Sequence, residues 1–409
     1  MHKRQCFLFC LSLVLFFLPV MNVQAIDVGV VLDLSGSVDV YGTSTDQVYR
    51  GTVIPWFSTP LGSVGNLFFS LGGSTEYTNS TEKWAFVPEL LRTDLKLTVS
   101  ESADLTLGRM FYADPLGFIV NGLFDGARVS VDAGEGVIGL GLWYTWFLYK
   151  KTAHITMTGD DLGLYGSEPE HKYFWKKEFW NNYFAPRRVI VAVDWSHPGI
   201  AELVRLNLGF IGQFDRTNNS PIDTQYIMAK AALPFQDFVF ELGGAVGLIL
   251  AYENSGVSFA GELGISWMPP SKIHDRLKLT GRFSSGQLND SIVAFIPVTT
   301  VPQGNILRVK LSGVSVISLD YTTRLREDFS LSLINSYYIL SDKITYQGLP
   351  YGREGFFLGN EMYAQAVWSP ASDFQIRAGG GVFMPSLGNA EPNGAVIWRI
   401  ELSAVMAVF

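Results

Sequence analysis

Few residues of this chain stand in patterns that do covalent chemistry. Asp33-Leu34-Ser35-Gly36-Ser37 sets a carboxylate and two hydroxyls in a D-x-S-x-S pattern that can hold a divalent cation, and it follows the apolar run Val28 to Leu32 as such a site follows a strand. That site needs amphipathic helices between parallel strands. The rest of the chain shows almost none, so the segment reads as the loop of a first hairpin. Gly134-Glu135-Gly136-Val137-Ile138-Gly139 matches G-x-G-x-x-G, yet it runs into Leu140-Gly141-Leu142-Trp143-Tyr144-Thr145-Trp146, a strand-like stretch and not the helix N-terminus a pyrophosphate requires. The five histidines include His2, and neither H-E-x-x-H nor G-x-S-x-G occurs. A Ser, a His and an acid on separate strands would escape such a reading. No catalytic group, metal ligand or cofactor is assigned, and the chain is read as a non-enzyme.

Charge set at every second residue is the more informative pattern. Taking the polar parity of each strand-like segment as one face gathers Arg92, Lys96, Arg128, Arg205, Arg276, Lys278, Arg282, Lys310, Arg324, Arg377 and Arg399. The acids on the same parity are Asp94, Asp194, Glu241, Glu262, Asp320, Glu361 and Glu401. If this face lines an enclosed channel, a basic wall in low-dielectric surroundings favours anions. The alternative is that Arg and acid pair across the interior and only hold the wall in shape.

The elements that carry these charges are strands. In Arg276-Leu277-Lys278-Leu279-Thr280-Gly281-Arg282-Phe283-Ser284 the residues Leu277, Leu279 and Phe283 fall on one side, and Arg276, Lys278, Thr280, Arg282 and Ser284 on the other. No helix segregates that pattern. The alternation recurs in Arg92 to Thr98, Val204 to Phe214, Phe238 to Tyr252 and Phe329 to Ile339.

Composition narrows what such strands can build. Hydrophobic residues make up 48% of the chain and the mean hydropathy is +0.20, yet past residue 25 no apolar stretch approaches the ~18 residues of a spanning helix. Only helices and closed barrels satisfy every backbone polar group within lipid. Met1-His2-Lys3-Arg4, the apolar run Cys6 to Met21 and the small-residue end Val23-Gln24-Ala25 read as a secretory signal peptide over residues 1–25, with a mature chain starting at Ile26. Both cysteines, Cys6 and Cys10, fall inside it. Removing Lys3 and Arg4 leaves 30 − 2 = 28 basic residues against 38 acidic ones, a formal charge of −10, which argues against a nucleic-acid partner. The chain therefore reads as all-β: one transmembrane antiparallel β-barrel over residues 26–409, in the outer membrane of a diderm bacterium. Its partners are the lipid bilayer, the barrel-assembly machinery and a hydrophilic solute.

Connector lengths set the topology. Short ones at Ser100 to Ser102, Asp132 to Glu135, Ser196 to Gly199, Pro234 to Gln236, Pro269 to Ile273, Arg326 to Glu327 and Pro370 to Ser372 read as periplasmic turns. The long ones at Lys150 to Pro186, Gln287 to Val309, Lys343 to Glu354 and Leu387 to Gly394 read as external loops. Counting back from a last strand that ends at Phe409 in the periplasm leaves room for two strands in residues 26–63, Ile26 to Ser35 and Val48 to Ser58, turning at Thr59-Pro60-Leu61-Gly62. The count is then about 18, with 16 left open by the irregular stretch Gly108 to Gly126. Arg109 lies on the parity of Leu105 and Leu107, so a bulge near Gly108 is expected to turn it inward as a further lining cation.

Aromatic residues mark edges and loops. Trp143, Trp146, Trp195, Trp267 and Trp368 fall near strand ends, where interfacial girdles form. His171-Lys172-Tyr173-Phe174-Trp175-Lys176-Lys177-Glu178-Phe179-Trp180 mixes aromatics with charge, and Lys172, Trp175, Lys176, Lys177 and Trp180 are read as a plug or lid.

Leu107-Gly108-Arg109, Asp114-Pro115-Leu116-Gly117-Phe118 and Phe124-Asp125-Gly126-Ala127-Arg128 together resemble the G-R to D-G segment of substrate-specific outer-membrane porins and, more loosely, of the alginate-export family. The matched segment covers a small part of the chain. The resemblance implies diffusion or export of an anionic saccharide through an arginine-lined pore, with Arg109 and Arg128 the best matched positions. The terminal Phe409 resembles the C-terminal assembly signal of such barrels but departs from it, because Ser403, Glu401 and Arg399 stand on its parity; a late phase shift or a variant signal would account for this. The sequence thus points to a pore for small hydrophilic, anionic solutes such as saccharides. The alternative is a closed barrel that serves as a surface adhesin or structural module.

Overall fold

The Arg276 to Ser284 alternation becomes one strand of a wall. In β13 (Arg276–Ser284) Leu279 and Phe283 are exposed on the outside while Thr280 and Ser284 are buried on the inside. The same rule, apolar outward and polar inward, builds its neighbours. The computed structural model describes residues 26–79, 83–157, 159, 161–162, 174–200, 203–216, 221–251, 255–346 and 355–409.

Eighteen antiparallel strands follow one another around the wall. They are β1 (Asp27–Tyr41), β2 (Ser44–Pro60), β3 (Gly65–Thr78), β4 (Lys83–Ser100), β5 (Ala103–Ala113), β6 (Asn121–Ala133), β7 (Gly136–Tyr144), β8 (Arg188–Ile200) and β9 (Val204–Asp215). The second half is β10 (Ile222–Phe235), β11 (Phe238–Ala251), β12 (Gly256–Trp267), β13, β14 (Val314–Arg326), β15 (Phe329–Leu340), β16 (Phe357–Ala371), β17 (Phe374–Met384) and β18 (Ile397–Val408). β1 pairs with both β2 and β18, from Tyr41↔Ile397 to Val30↔Val408, so the sheet closes on itself and has no free terminal edge. Among the described residues, the short helices α1 (Lys150–Ala153) and α2 (Lys177–Asn181) lie in the β7–β8 connection. Among the described residues no helix is long and apolar enough to cross a membrane.

The expected strand count of 18 and the alternation of short and long connectors match this architecture. Several local expectations do not. The D-x-S-x-S segment is no hairpin loop: Asp33, Ser35 and Ser37 lie within β1 on its inward side, because β1 and β2 run on to a tight turn at Gly42, where φ is +58°. The Ser196 to Gly199 stretch expected as the turn after β8 is still strand, which runs to Ile200, because β8 stays paired with β9 through a register shift between His197 and Ile200. Trp143 is no girdle residue. It points into the barrel, 1% exposed, with Tyr112 stacked on it at 4.5 Å. Lys310 lies on the β13–β14 connection and not on a strand.

The Gly108 region differs most from expectation. Gly108 has φ +107°, and a Cβ there would sit 2.0 Å from the Thr93 carbonyl oxygen, so glycine is required. The pairing of β5 with β6 is nevertheless unbroken, with Arg109 opposite Asp125 and Met110 opposite Phe124. No extra residue is inserted. Met110 and Tyr112 face inward and are buried, and Arg109 stays on the outer side with Leu105, Leu107 and Phe111. The bulge falls instead in β4, where the pairing with β3 slips between Ser70↔Arg92 and Leu71↔Leu90 and leaves Leu91 as the extra residue.

β18 shows no late phase shift. Trp398, Ile400, Leu402, Met406 and Val408 are exposed on the outside, and Arg399 and Glu401 face inward. Phe409 follows on the inward parity and meets Trp56 edge to face at 5.9 Å.

Candidate pore and its lining

Connections that run into the barrel partly fill its interior. The segment 114–120 is folded around one carboxylate. Asp114 accepts hydrogen bonds from the backbone amides of Leu116 (2.7 Å), Gly117 (2.9 Å), Ile119 (2.9 Å) and Val120 (2.7 Å). That cradle turns Leu116, Phe118, Ile119 and Val120 onto the inner face of the wall, where they join Tyr226, Phe295, Val298 and Leu311 in a buried cluster. The β13–β14 connection docks on it: Thr299 accepts from the Asn121 amide at 2.8 Å and donates its own amide to the Ile119 carbonyl at 3.1 Å. The next turn of the same connection is held by Glu361 on β16, which accepts from the amides of Asn305 (2.7 Å), Ile306 (3.2 Å) and Leu307 (2.9 Å) and from the Tyr338 hydroxyl (3.1 Å). Arg308 follows directly, with φ +51°.

The remaining wall carries ion pairs. Arg128 is bidentate to Asp194, both contacts at 2.7 Å. Lys278 meets Glu241 at 2.6 Å, while Lys230 at 2.9 Å and Arg282 at 2.7 Å share Glu262. Arg399 touches Asp39 and Glu401, each at 3.1 Å, and Arg308 stands 4.0 Å from Glu401. Arg92 pairs with Asp94 and lies 4.6 Å over the ring of Phe68. In two of these pairs the burial is lopsided. Arg92 is 41% exposed beside an Asp94 at 2%, and Arg282 is 34% exposed beside a Glu262 at 2%. Water inside the barrel meets the cation while the acid is tucked behind it.

The structure places Arg92, Lys96, Arg128, Arg205, Arg276, Lys278, Arg282, Arg324, Arg377 and Arg399 on the inward parity of their strands. Lys96, Arg205, Arg276 and Arg377 have no carboxylate within ion-pair range among the described residues. Arg324 binds the Glu327 carbonyl near the turn after β14. Arg109, turned to the outer side, is not brought to the lumen. Of the plug candidates, Lys172 lies outside the described residues. Trp175, Lys176, Lys177 and Trp180 are exposed, but other parts of the same β7–β8 connection do enter the lumen, where Ile155 bridges Thr299 and Phe179 packs on Val87; the segment 114–120 and the β13–β14 connection join them there.

Sequence parity missed Lys230, Arg50, Arg308 and Asp39. Lys230 sits at an inward position of β10 in a run, Ala229 to Leu233, whose other members are apolar, so its partners Glu241 and Glu262 appear only once β10, β11 and β12 are in register. Arg308 could not be found by strand parity because it is on a connection.

No family model matches the chain, and no curated protein matches it in sequence. Solved structures do match in shape. Pseudomonas aeruginosa OccK2 (OpdF) aligns with a TM-score of 0.64 at 10% identity over 94% of this chain and 98% of its own. The same protein in complex with glucuronate gives 0.63 at 11% over 95% and 98%. The outer membrane protein opdK of that organism gives 0.61 at 10% over 94% and 99%. The fold of this chain is that of these outer-membrane barrels.

Proposed function

We propose that the chain is an outer-membrane pore that passes small hydrophilic, anionic solutes and carries out no chemistry on them. The observation that carries the reading is the lopsided burial of the Arg92–Asp94 and Arg282–Glu262 pairs, because a solute in the barrel meets Arg92 and Arg282 before it meets their acids. The low dielectric of the wall extends their field across the lumen. The inward cations without carboxylate partners, Lys96, Arg205, Arg276 and Arg377, add to that field near the periplasmic ends of their strands. The fold is shared with a barrel crystallised with glucuronate, a carboxylated sugar, which supports the choice of an anionic saccharide as the first solute to try.

The test is reversal potential in a planar bilayer under a salt gradient. Anion preference is expected, with conductance reduced by glucuronate. Cation preference would refute the anion reading. An intact, heat-modifiable barrel that passes no current would favour the closed barrel, for which the apolar cluster of Leu116, Phe118 and Phe295 inside the lumen is the specific support.

A further inference from the structure

The wall has a seam. β4 pairs with β3 along nearly its whole length but with β5 only from Ser100↔Ala103 to Thr93↔Arg109, so the stretch from Lys83 to Arg92 has no strand beside it on that side. The β7–β8 connection fills the gap. Its two arms are bridged at Tyr149↔Phe184, with the Lys150 amide donating to the Tyr183 carbonyl at 3.0 Å and the Ala185 amide to the Leu148 carbonyl at 3.0 Å. Two carbonyls of this stretch are met by side chains: the Tyr183 hydroxyl donates to Pro88 at 2.8 Å and the Arg109 guanidinium to Leu90.

This patch does not restore a flat wall. Outside it lies a hollow of about 860 Å³, inside the ~300–1,000 Å³ range of sites that enclose a ligand, whose apolar lining includes Val53, Leu71, Phe86, Phe147, Trp180 and Phe184. Arg109 and Asp125 form part of its lining, but the guanidinium is spent. It donates to both oxygens of Asp125 and to the Leu90 and Phe147 carbonyls, so it holds the seam and offers nothing to a headgroup. The accessible cation is reached along a stack of rings. Trp180 stacks on Phe184 at 5.9 Å, Phe184 on Trp146 at 5.3 Å, and Arg187 lies 4.0 Å over Trp146. Arg187 directly precedes β8 at its external end, is exposed, and has no carboxylate in ion-pair range among the described residues. A second outer hollow, bounded by Ile138, Val193, Phe210, Ile227 and Val246, lies between regular strands and has no cation in its lining.

We propose that the seam hollow binds one membrane lipid with a phosphorylated headgroup, an acyl chain lying in the hollow and the phosphate on Arg187. The arrangement suits an amphiphile of the outer leaflet: an apolar cleft at the depth of the chains, an aromatic stack at the depth of the interface, and a cation above it. The site is independent of what the lumen conducts.

The test is native mass spectrometry of the purified full chain in detergent, with lipid A, a diacylglycerol and inorganic phosphate as separate probes. The wild type is expected to retain one lipid A in preference to diacylglycerol, with inorganic phosphate alone neither retained nor competing. Leu71→Trp fills the hollow and should lower retention of both lipids about tenfold, equivalent to ~1.4 kcal/mol. Arg187→Gln should abolish the preference for lipid A while leaving diacylglycerol bound. Heat-modifiable mobility in gels reports that each variant is folded, and Val53→Phe replaces Leu71→Trp should the latter not fold. Unchanged retention in a folded filled-hollow variant, or equal retention of lipid A and diacylglycerol by the wild type, would overturn the proposal. Either result leaves the pore reading to its own conductance test.

Discussion

Arg109 and Asp125 face each other across β5 and β6 on the outer side of the barrel, joined by Nε to Oδ1 and Nη2 to Oδ2 contacts of 2.7 Å each. Arg109 stands six residues above the start of β5, roughly 15 Å up a strand tilted by ~40° and rising ~3.4 Å per residue. That is well inside the span of a lipid-facing band, where an unpaired charge is strongly unfavourable. Arg109 is only 4% exposed and has used four of its five N–H groups.

Breaking this pair should loosen the seam. Arg109→Ala leaves Asp125 without its cation and Leu90 and Phe147 without their donor, and should destabilise the barrel by about 3–5 kcal/mol. Arg109→Lys should recover little, because one ammonium cannot serve a carboxylate and two carbonyls in different directions. Urea unfolding in lipid vesicles, followed by tryptophan fluorescence, reads the change. A double variant with Asp125→Ala that loses no less than the sum of the single losses would show that the two residues do not act together.

Asp114 is the corresponding fastener for the lumen. Asp114→Ala orphans the amides of Leu116, Ile119 and Val120, while Gly117 keeps the Asp114 carbonyl, and a loss of at least about 3 kcal/mol follows from ~1–3 kcal/mol for each donor left unmet. Single-channel recording should show larger and noisier conductance as the segment 114–120 loosens, and chymotrypsin should begin to cut at Phe118, which is 1% exposed in the intact chain. Quiet wild-type conductance from a folded variant would mean that this segment does not narrow the pore.

Arg282 offers a gentler test of the lumen field. Glu262 keeps Lys230 at 2.9 Å when Arg282 is replaced by Gln, so the barrel should remain folded. The exposed charge is nevertheless gone, and anion preference in the reversal potential should fall by roughly twofold. Lys230→Met is the contrasting variant, since it removes the less exposed partner and should affect stability more than selectivity.

How far these features could be read from the chain depends on whether they repeat. The Arg276 to Ser284 strand, the turns and the inward parity of Arg128, Lys278 and Arg282 follow from a period of two and from connector lengths, and both are local. A charge on an apolar parity, as at Arg109, suggests an inward flip, but its partner Asp125 is on the same parity of the next strand and lets both stay outside. The seam and the fillings of the lumen depend on contacts between distant segments, such as Tyr183 with Pro88 or Glu361 with Asn305. Nothing in the local pattern of either partner marks such a contact. The aromatic 171–180 stretch does send Phe179 onto the inward-facing Val87, but Phe118 and Phe295, flanked by ordinary loop residues, also enter the lumen and carry no such mark.

Acid should release one end of the β13–β14 connection. Burial pushes the Asp342 carboxyl up, but the Thr345 hydroxyl and the amides of Thr345, Ile344 and Gln287 outweigh it and hold the group below the ordinary carboxylate range. A depressed carboxyl stabilises the fold at pH values above its unfolded pKa of about 3.9, and that contribution fades as pH falls through the lower folded value. Conductance should therefore change below about pH 3.9, and Asp342→Asn should show the low-pH behaviour at neutral pH. A pH profile identical in the two proteins would exclude Asp342 as the titrating group.

Two deletions compare the seam with the lumen, because only the first removes cover from the seam. Removing residues 152–183 takes away Thr152, Phe179 and Tyr183, which bind Glu89, pack on Val87 and cap the Pro88 carbonyl, together with Ile155 and Thr156, which pair with Thr299 and Val298 in the lumen. The free edge of β4 then faces lipid, where each unmet backbone group costs several kcal/mol, so the expected result is a barrel that unfolds at lower temperature and leaks ions irregularly. Removing residues 303–309 takes out the turn that Glu361 holds and leaves the wall pairing of every strand in place. It should widen the lumen, with conductance rising steadily and heat resistance changing less. If the first deletion instead gave a stable barrel with a clean, larger conductance, the β7–β8 connection would act only as lumen filling, and the gap between β4 and β5 would need no cover.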